Sequence, residues 1–272
     1  MPTSLSPSTL TPLTVLITGA SSGIGAALAH CFARDGHRLV LVARNEATLR
    51  ALAAALRATH GTRCDVLAAD LAQPGAAEAL AAELRRKRRP IDVLVNNAGV
   101  LEHGAFSAID AARHQQLIDL NVSGLTAMLA AFVPAMLARG RGRVLNVASI
   151  AAFQPLPGLA TYAATKAYVL SLSESLAEEL RDSGVTVTAL CPGITATAML
   201  SGATARDARL AKLPAFLIGD VDAVAAEGHR ACMAGEAIAV PGALNRAATM
   251  ATGTAPKWLI RRIVGAMGRK LI

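Results

Sequence analysis

The stretch that most constrains this chain is Thr18, Gly19, Ala20, Ser21, Ser22, Gly23, Ile24 and Gly25. It follows the apolar run Val15, Leu16, Ile17 and opens the helical pattern Gly23 to Arg34. Glycines at 19, 23 and 25 permit a tight turn, close approach of backbone to a pyrophosphate, and close packing of helix on strand. The first turn of the helix offers unpaired N–H groups and the positive end of its dipole to phosphates. A glycine cluster is informative only between a strand and a helix in a first βαβ unit, and this one sits there. The stretch therefore predicts a dinucleotide site built from Gly19, Ser21, Ser22, Gly23, Ile24 and Gly25.

The rest of the chain supports that placement. Further strands are expected at Arg38 to Val42, Cys64 to Ala68, Ile91 to Val95, Arg143 to Val147 and Val185 to Leu190, with a short last one at Ala237 to Val240. Helices are expected at about Asn45 to His60, Gly75 to Arg86, Ala111 to Arg139 and Thr161 to Arg181. Apolar strands alternating with helices predict an α/β fold: a doubly wound, Rossmann-type parallel sheet with helices on both faces. Hydrophobic residues make up 53% of the chain and aromatics 3%, so its core is aliphatic. We expect residues 1–12 to be a frayed tail, 13–255 a single domain, about 194–222 a substrate loop, and 256–272 a basic amphipathic helix.

Several function classes are disfavoured. Met1 to Pro12 lacks the basic and apolar regions of a signal peptide. No run reaches the roughly 18 uninterrupted apolar residues of a membrane span. Cys31, Cys64, Cys191 and Cys232 are far apart, which reads as reduced thiols in a cytoplasmic protein. No histidine spacing suggests a metal. The net charge of +8 admits nucleic-acid binding, but a polyanionic cofactor accounts for some of it, and Arg85 to Arg89 reads as a solvated helix end. No nucleic-acid partner is expected. The helix at 256–272 could lie on an anionic membrane, pack on a subunit neighbour or close the pocket.

Tyr162 and Lys166 lie four residues apart on an expected helix, so their side chains share a face. An ammonium beside a phenol is expected to lower its pKa and make it a competent general acid or base. Ser149 follows strand five, at the end of the sheet where ligands bind in such folds, and could hydrogen-bond a substrate oxygen. Asn121 sits inside an expected helix, where asparagine is not favoured.

The glycine spacing, T-G-x-x-x-G-x-G at Thr18 to Gly25, together with Tyr162-x-x-x-Lys166, resembles the short-chain dehydrogenase/reductase family. The resemblance runs from about Thr14 to Val240. It implies about seven strands in the order 3-2-1-4-5-6-7, and a catalytic set of Asn121, Ser149, Tyr162 and Lys166. In that set Lys166 also bonds the nicotinamide ribose and Asn121 holds a water. Asn96, Asn97, Ala98 and Gly99 match the family's N-N-A-G motif. Asp70, followed by Leu71, matches its aspartate beside the adenine, although a helix N-cap is the plainer reading of Asp70. Pro192 and Gly193 match its P-G motif, and Thr197, less readily Thr195, matches its carboxamide contact. Strand two ends at Ala43 and Arg44, where an NAD enzyme would usually carry an acid. Arg44 suits a 2′-phosphate, so the cofactor expected is NADP(H).

The expected activity is hydride transfer between that cofactor and the carbonyl or secondary alcohol of a neutral, hydrophobic small molecule. Ser149, Gln154 and Tyr162 are the candidate substrate contacts. Surplus apolar surface on the two long helices suggests a homodimer or homotetramer. A non-catalytic nucleotide-binding or sensor protein, or a peripheral membrane reductase, is the competing reading.

Overall fold

The computed structural model describes residues 11–196, 218–254 and Arg262. Seven parallel strands form one sheet in the order β3-β2-β1-β4-β5-β6-β7. These are β1 (Thr14–Thr18), β2 (Arg38–Ala43), β3 (Cys64–Ala68), β4 (Val93–Asn96), β5 (Gly142–Val147), β6 (Val185–Leu190) and β7 (Ile238–Ala239). The central strand β1 pairs both ways: Ile17 lies opposite Leu41 of β2 and Val95 of β4.

Alternating side chains divide the strands between two cores, as the pleat requires. Leu16, Val40, Leu94, Val144 and Val187 face one side, where they meet α3 (Ala76–Arg86), α5 (Leu125–Ala138) and α6 (Ala160–Glu179). Val15, Ile17, Leu41, Val95 and Leu145 face the other, against α1 (Gly23–Arg34), α2 (Glu46–His60) and α7 (Val221–Ala234). With both faces covered, the strands read as unbroken apolar runs. Burying each Val, Leu or Ile contributes roughly 1.5–3 kcal/mol. A last helix, α8 (Ala243–Thr254), follows β7.

Local chemistry sets the helix ends. Asn45 caps α2 by accepting from the Thr48 N–H at 3.1 Å, and Gly61 ends it with a left-handed φ of 66°. The basic run ends α3 at Arg86, with Arg88 itself left-handed and the run exposed, as expected of a solvated end.

The expected helix 111–139 has a finer construction. It is α4 (Ala111–Ile118), a π-helical turn at Asp119–Gly124, then α5. Taken together, Ala111–Ala138 is long and apolar enough to cross a membrane by composition. Instead Met128, Leu129, Phe132, Val133 and Met136 bury against the sheet. Of the expected loop 194–222, residues 197–217 lie outside the described residues; its far end re-enters the fold through a bridge between Thr195 and Gly219 and the start of α7. The tail to Leu10 and the helix expected at 256–272, Arg262 apart, also lie outside them.

Candidate active site

The glycine loop is built around contacts that no side chain could share. Gly19 has φ +63°, and a Cβ there would meet the Ala98 Cα at 2.8 Å. A Cβ on Gly25 would lie 2.4 Å from both the Gly19 carbonyl oxygen and Asn97 Nδ2. Asn97 explains the crowding. Its Nδ2 donates to the carbonyls of Thr18 and Gly19 at 3.0 and 3.1 Å, tying the end of β4 to the loop after β1. The Thr18 hydroxyl accepts from the Asn97 and Ala98 N–H groups, both at 3.0 Å, and donates to the Val95 carbonyl.

This cradle fits a pyrophosphate. Ser22 stands at the N-cap of α1, yet its side chain caps nothing, and the first turn carries no acidic residue. The opening N–H groups of α1 therefore have no side-chain acceptor in competition with an anion. Arg44 is exposed just beyond β2 and makes no ion pair among the described residues, which leaves its guanidinium available to a phosphate.

Asp70 is not the N-cap of α3, since Gly75 holds that position. Its carboxylate instead accepts from the Ala72 N–H at 3.2 Å, fixing the turn after β3. Leu71 is buried, and its carbonyl abuts Gly124 in the π turn.

The four candidate catalytic side chains come from three segments. Ser149 follows β5, Asn121 lies in the π turn, and Tyr162 and Lys166 stand in the first turns of α6. Asn121 and Lys166 meet at Gly99, where a Cβ would be 3.2 Å from Asn121 Oδ1 and 3.5 Å from Lys166 Nζ. The ammonium of Lys166 is 5.8 Å from the centre of the Tyr162 ring. It donates to the Val147 carbonyl at 2.7 Å. Ser149 accepts from the Ala151 N–H at 3.1 Å.

One expectation about these groups needs correcting. Burial pushes the Tyr162 phenol above its ordinary pKa, hydrogen bonding to Ser149 pulls it partly back, and no lowering by Lys166 accompanies them. The physical reason is desolvation. Lys166 is itself buried, and burial lowers its pKa to about 8. An ammonium held in that surrounding and directed at a carbonyl is a weaker aid to phenolate than one aimed at the hydroxyl. Burial thus favours the neutral phenol at Tyr162.

Asn121 is bonded through both atoms of its amide. Its Nδ2 donates to the Val100 carbonyl at 2.9 Å and to Thr165 Oγ1 at 3.1 Å, and its Oδ1 accepts from the Val100 N–H at 2.9 Å. Both amide protons are taken by protein acceptors. Its observed work is to lock the chain leaving the N-N-A-G motif.

Pro192 and Gly193 follow β6, and the Pro192 carbonyl accepts from the Ile150 N–H at 2.9 Å, joining this segment to the loop after Ser149. Thr195 turns its hydroxyl back onto the Gly193 carbonyl at 2.9 Å. Thr197 lies outside the described residues. Gln154 is half-buried at the end of the short 3-10 helix Ile150–Phe153.

Sequence reasoning missed three contributors. Thr18 was seen only as part of a motif, and Thr165 only as a spacer between Tyr162 and Lys166. Asn245 of α8 was unmarked, yet its amide occupies the space a Cβ on Gly193 would fill, at 2.5 Å. A polar residue in the helix directly after the last strand was the available signal.

Comparison with known proteins agrees with this geometry. A family model described as short chain dehydrogenase matches residues 13–208. Oxidoreductase UcpA of Escherichia coli (strain K12) is 38% identical over 191 residues, 70% of this chain and 72% of that protein. A short-chain dehydrogenase from Sphingobium yanoikuyae, solved in complex with NADPH, superposes with a TM-score of 0.78 at 38% identity, covering 90% of this chain and 96% of that one. The bulky-bulky ketone specific alcohol dehydrogenase from Comamonas testosteroni superposes with a TM-score of 0.75 at 33% identity, over 91% and 96% of the two chains.

Proposed function

The chain belongs to the short chain dehydrogenase family, and from that premise we propose that it is an NADP(H)-dependent reductase or dehydrogenase of carbonyl and secondary alcohol groups. The observation that carries the reading is the convergence of Asn121, Lys166 and the N-N-A-G motif at Gly99, within reach of Tyr162 and beside the glycine cradle.

Bound on the Gly19 to Gly25 loop, the dinucleotide supplies or takes up the hydride. Arg44 binds the 2′-phosphate, and the first turn of α1 holds the pyrophosphate. Ser149 hydrogen-bonds the substrate oxygen and steadies the charge that grows on it during reduction. Tyr162, neutral by burial, passes its hydroxyl proton to that oxygen. In oxidation it takes the proton back. Lys166 keeps one N–H on Val147 and offers the others to the cofactor ribose and the phenolate left by proton transfer. Asn121 holds Val100 and Thr165 in place around them.

A neutral, hydrophobic ketone, aldehyde or alcohol is the favoured substrate class. The candidate walls after Ser149, Ile150 to Pro155, are apolar apart from Gln154, and a relative of similar fold is named for bulky ketones. Gln154, next along the chain from Phe153, carries an amide. Exposed Ile118, Leu137 and Tyr168 on α4, α5 and α6 support a homodimer or homotetramer through these helices. Four free thiols support a reducing, cytoplasmic setting.

A panel of carbonyls and alcohols, followed by nicotinamide absorbance with NADPH and with NADH, tests the reading. Turnover with at least one hydrophobic carbonyl and a preference for NADPH are expected. Cofactor binding without turnover across the panel would favour the non-catalytic alternative.

A further inference from the structure

The chain between the N-N-A-G motif and α4 is a strap along the substrate side of the crevice. It is tied down at every second residue. Val100 is held by Asn121 through both its N–H and carbonyl. Glu102 accepts from Arg113 Nε and Nη2 at 3.0 and 2.7 Å, with the Glu102 side chain only 11% exposed. Gly104 donates its N–H to the Gly158 carbonyl at 2.9 Å. Phe106 is held by His114, whose Nε2 lies 3.1 Å from the Phe106 carbonyl and whose ring stacks on the Phe106 ring, centroids 4.3 Å apart.

His114 is the tie that reaches farthest. A carbonyl oxygen can only accept, so the contact with Phe106 places the imidazole proton on Nε2. Nδ1 is then an acceptor, and it lies 2.8 Å from the hydroxyl of Thr161. Thr161 immediately precedes Tyr162 in the first turn of α6. That turn has no side-chain cap of its own, since Leu159 stands at the N-cap position. The imidazole thus bridges the strap and the start of the helix that carries the proton donor. Ile109, Leu117 and Ala160 close around the same small cavity.

We infer that His114 is a positioning residue: through Thr161 on one side and Phe106 on the other, it sets the distance between the substrate-side strap and the Tyr162 hydroxyl. The inference rests on the reductase reading above and adds a residue to it. A group that fixes the separation of proton donor and substrate wall governs the chemical step, where displacements near 1 Å cost up to about a hundredfold in rate. It has no contact with the phosphate cradle and should not alter cofactor affinity.

The test uses four variants of the full chain. His114→Leu keeps the bulk and removes both polar atoms. His114→Gln keeps a donor and an acceptor on one planar group. Thr161→Val removes the hydroxyl, and the fourth variant combines His114→Leu with Thr161→Val. Roughly ten- to hundredfold losses in kcat/KM are expected for His114→Leu and Thr161→Val, with the NADPH dissociation constant within about twofold of the parent. Most of the loss should return in His114→Gln. The double variant should be no worse than the poorer single one, because both break the same bridge.

Wild-type kcat/KM in His114→Leu would overturn the inference. So would a loss of NADPH affinity parallel to the loss of rate, or a Gln variant as poor as Leu, since either marks a general structural role. If the parent turns over nothing in the substrate panel, the reductase reading fails separately. The bridge is then judged by imidazole nitrogen chemical shifts. A proton on Nε2 and a shift of Nδ1 on Thr161→Val sustain it, and an unmoved Nδ1 ends it.

Discussion

The two walls of the crevice are held by different kinds of bond. On the phosphate side, Gly19 and Gly25 pack directly on backbone and on the Asn97 amide, with no space for a Cβ. On the substrate side, the strap from Val100 to Phe106 is held chiefly by side chains that reach in from α4 and the π turn: Arg113, His114 and Asn121. A wall fixed by backbone contact allows one geometry and one kind of residue. A wall hung on side chains can be re-set by substitution. The first suits a cofactor that never changes, and the second a substrate that differs between relatives.

The comparison can be broken most severely at Tyr162, the proposed proton donor, on the substrate side. Tyr162→Phe should lower kcat by about a thousandfold, in the range of general acid–base contributions. The NADPH dissociation constant should stay within about twofold. Steady-state rates and fluorescence titration of the cofactor check both, and a parallel loss of binding would mean that the two walls are not independent.

The next largest effect falls on the phosphate wall. Gly25→Ala places a Cβ 2.4 Å from the Gly19 carbonyl oxygen. It should cost about 3 kcal/mol of stability by overpacking and remove NADPH binding. Gly36→Ala is the control: its φ is +79°, but nothing lies within 4 Å. That change should cost only about 1 kcal/mol, from backbone conformation alone. Thermal melts of the two variants separate close approach from conformational strain.

Arg44 sharpens the comparison within the cofactor half. Loss of a charge-assisted hydrogen bond is worth about 1.5–3 kcal/mol. Arg44→Asp should therefore weaken NADPH by roughly ten- to a hundredfold and change NADH little. Retained preference for NADPH would place the 2′-phosphate elsewhere.

The smallest effect is read in pH. Burial pushes the thiols of Cys191 and Cys232 from 9.0 up to about 12. The unfolded chain then loses protons above pH 9 that the folded chain keeps. Their contribution to stability is complete below pH 9 and declines as pH rises toward 12. Lys166 acts in the opposite sense. Its folded value of about 8 lies below its ordinary 10.5, so burial of the ammonium costs stability below pH 8, and that cost is relieved as pH rises to 10.5. Urea midpoints from pH 7 upward should pass through a maximum near pH 9, and Cys232→Ala should flatten the alkaline decline.

Most of the sheet was legible because each signal is local. Val15 to Ile17, Cys64 to Ala68 and Val185 to Leu190 are short, apolar and bounded by turn residues, and the strands form where the pattern places them. The π turn at Asp119–Gly124 was not legible. Its apolar and polar residues are those of a continuous helix, and only the insertion of Asn121 toward Val100 and Thr165 shows why the turn widens. The direction of the Tyr162 shift was misread for a related reason. Spacing places a lysine near a phenol but does not give the dielectric around either.

Residue type alone determined where backbone must turn sharply, where a helix must open on an anion and which two side chains must share the face of α6. Each of those follows from the steric and dihedral limits of a few neighbouring residues. Tertiary structure decided which atoms those side chains meet. Asn97 meets Thr18 across 79 residues, and His114 meets Thr161 across 47. Such pairings exist only once the parallel sheet has brought the strand ends to one edge, and desolvation of Lys166 and Tyr162 exists only once the helices have closed over them.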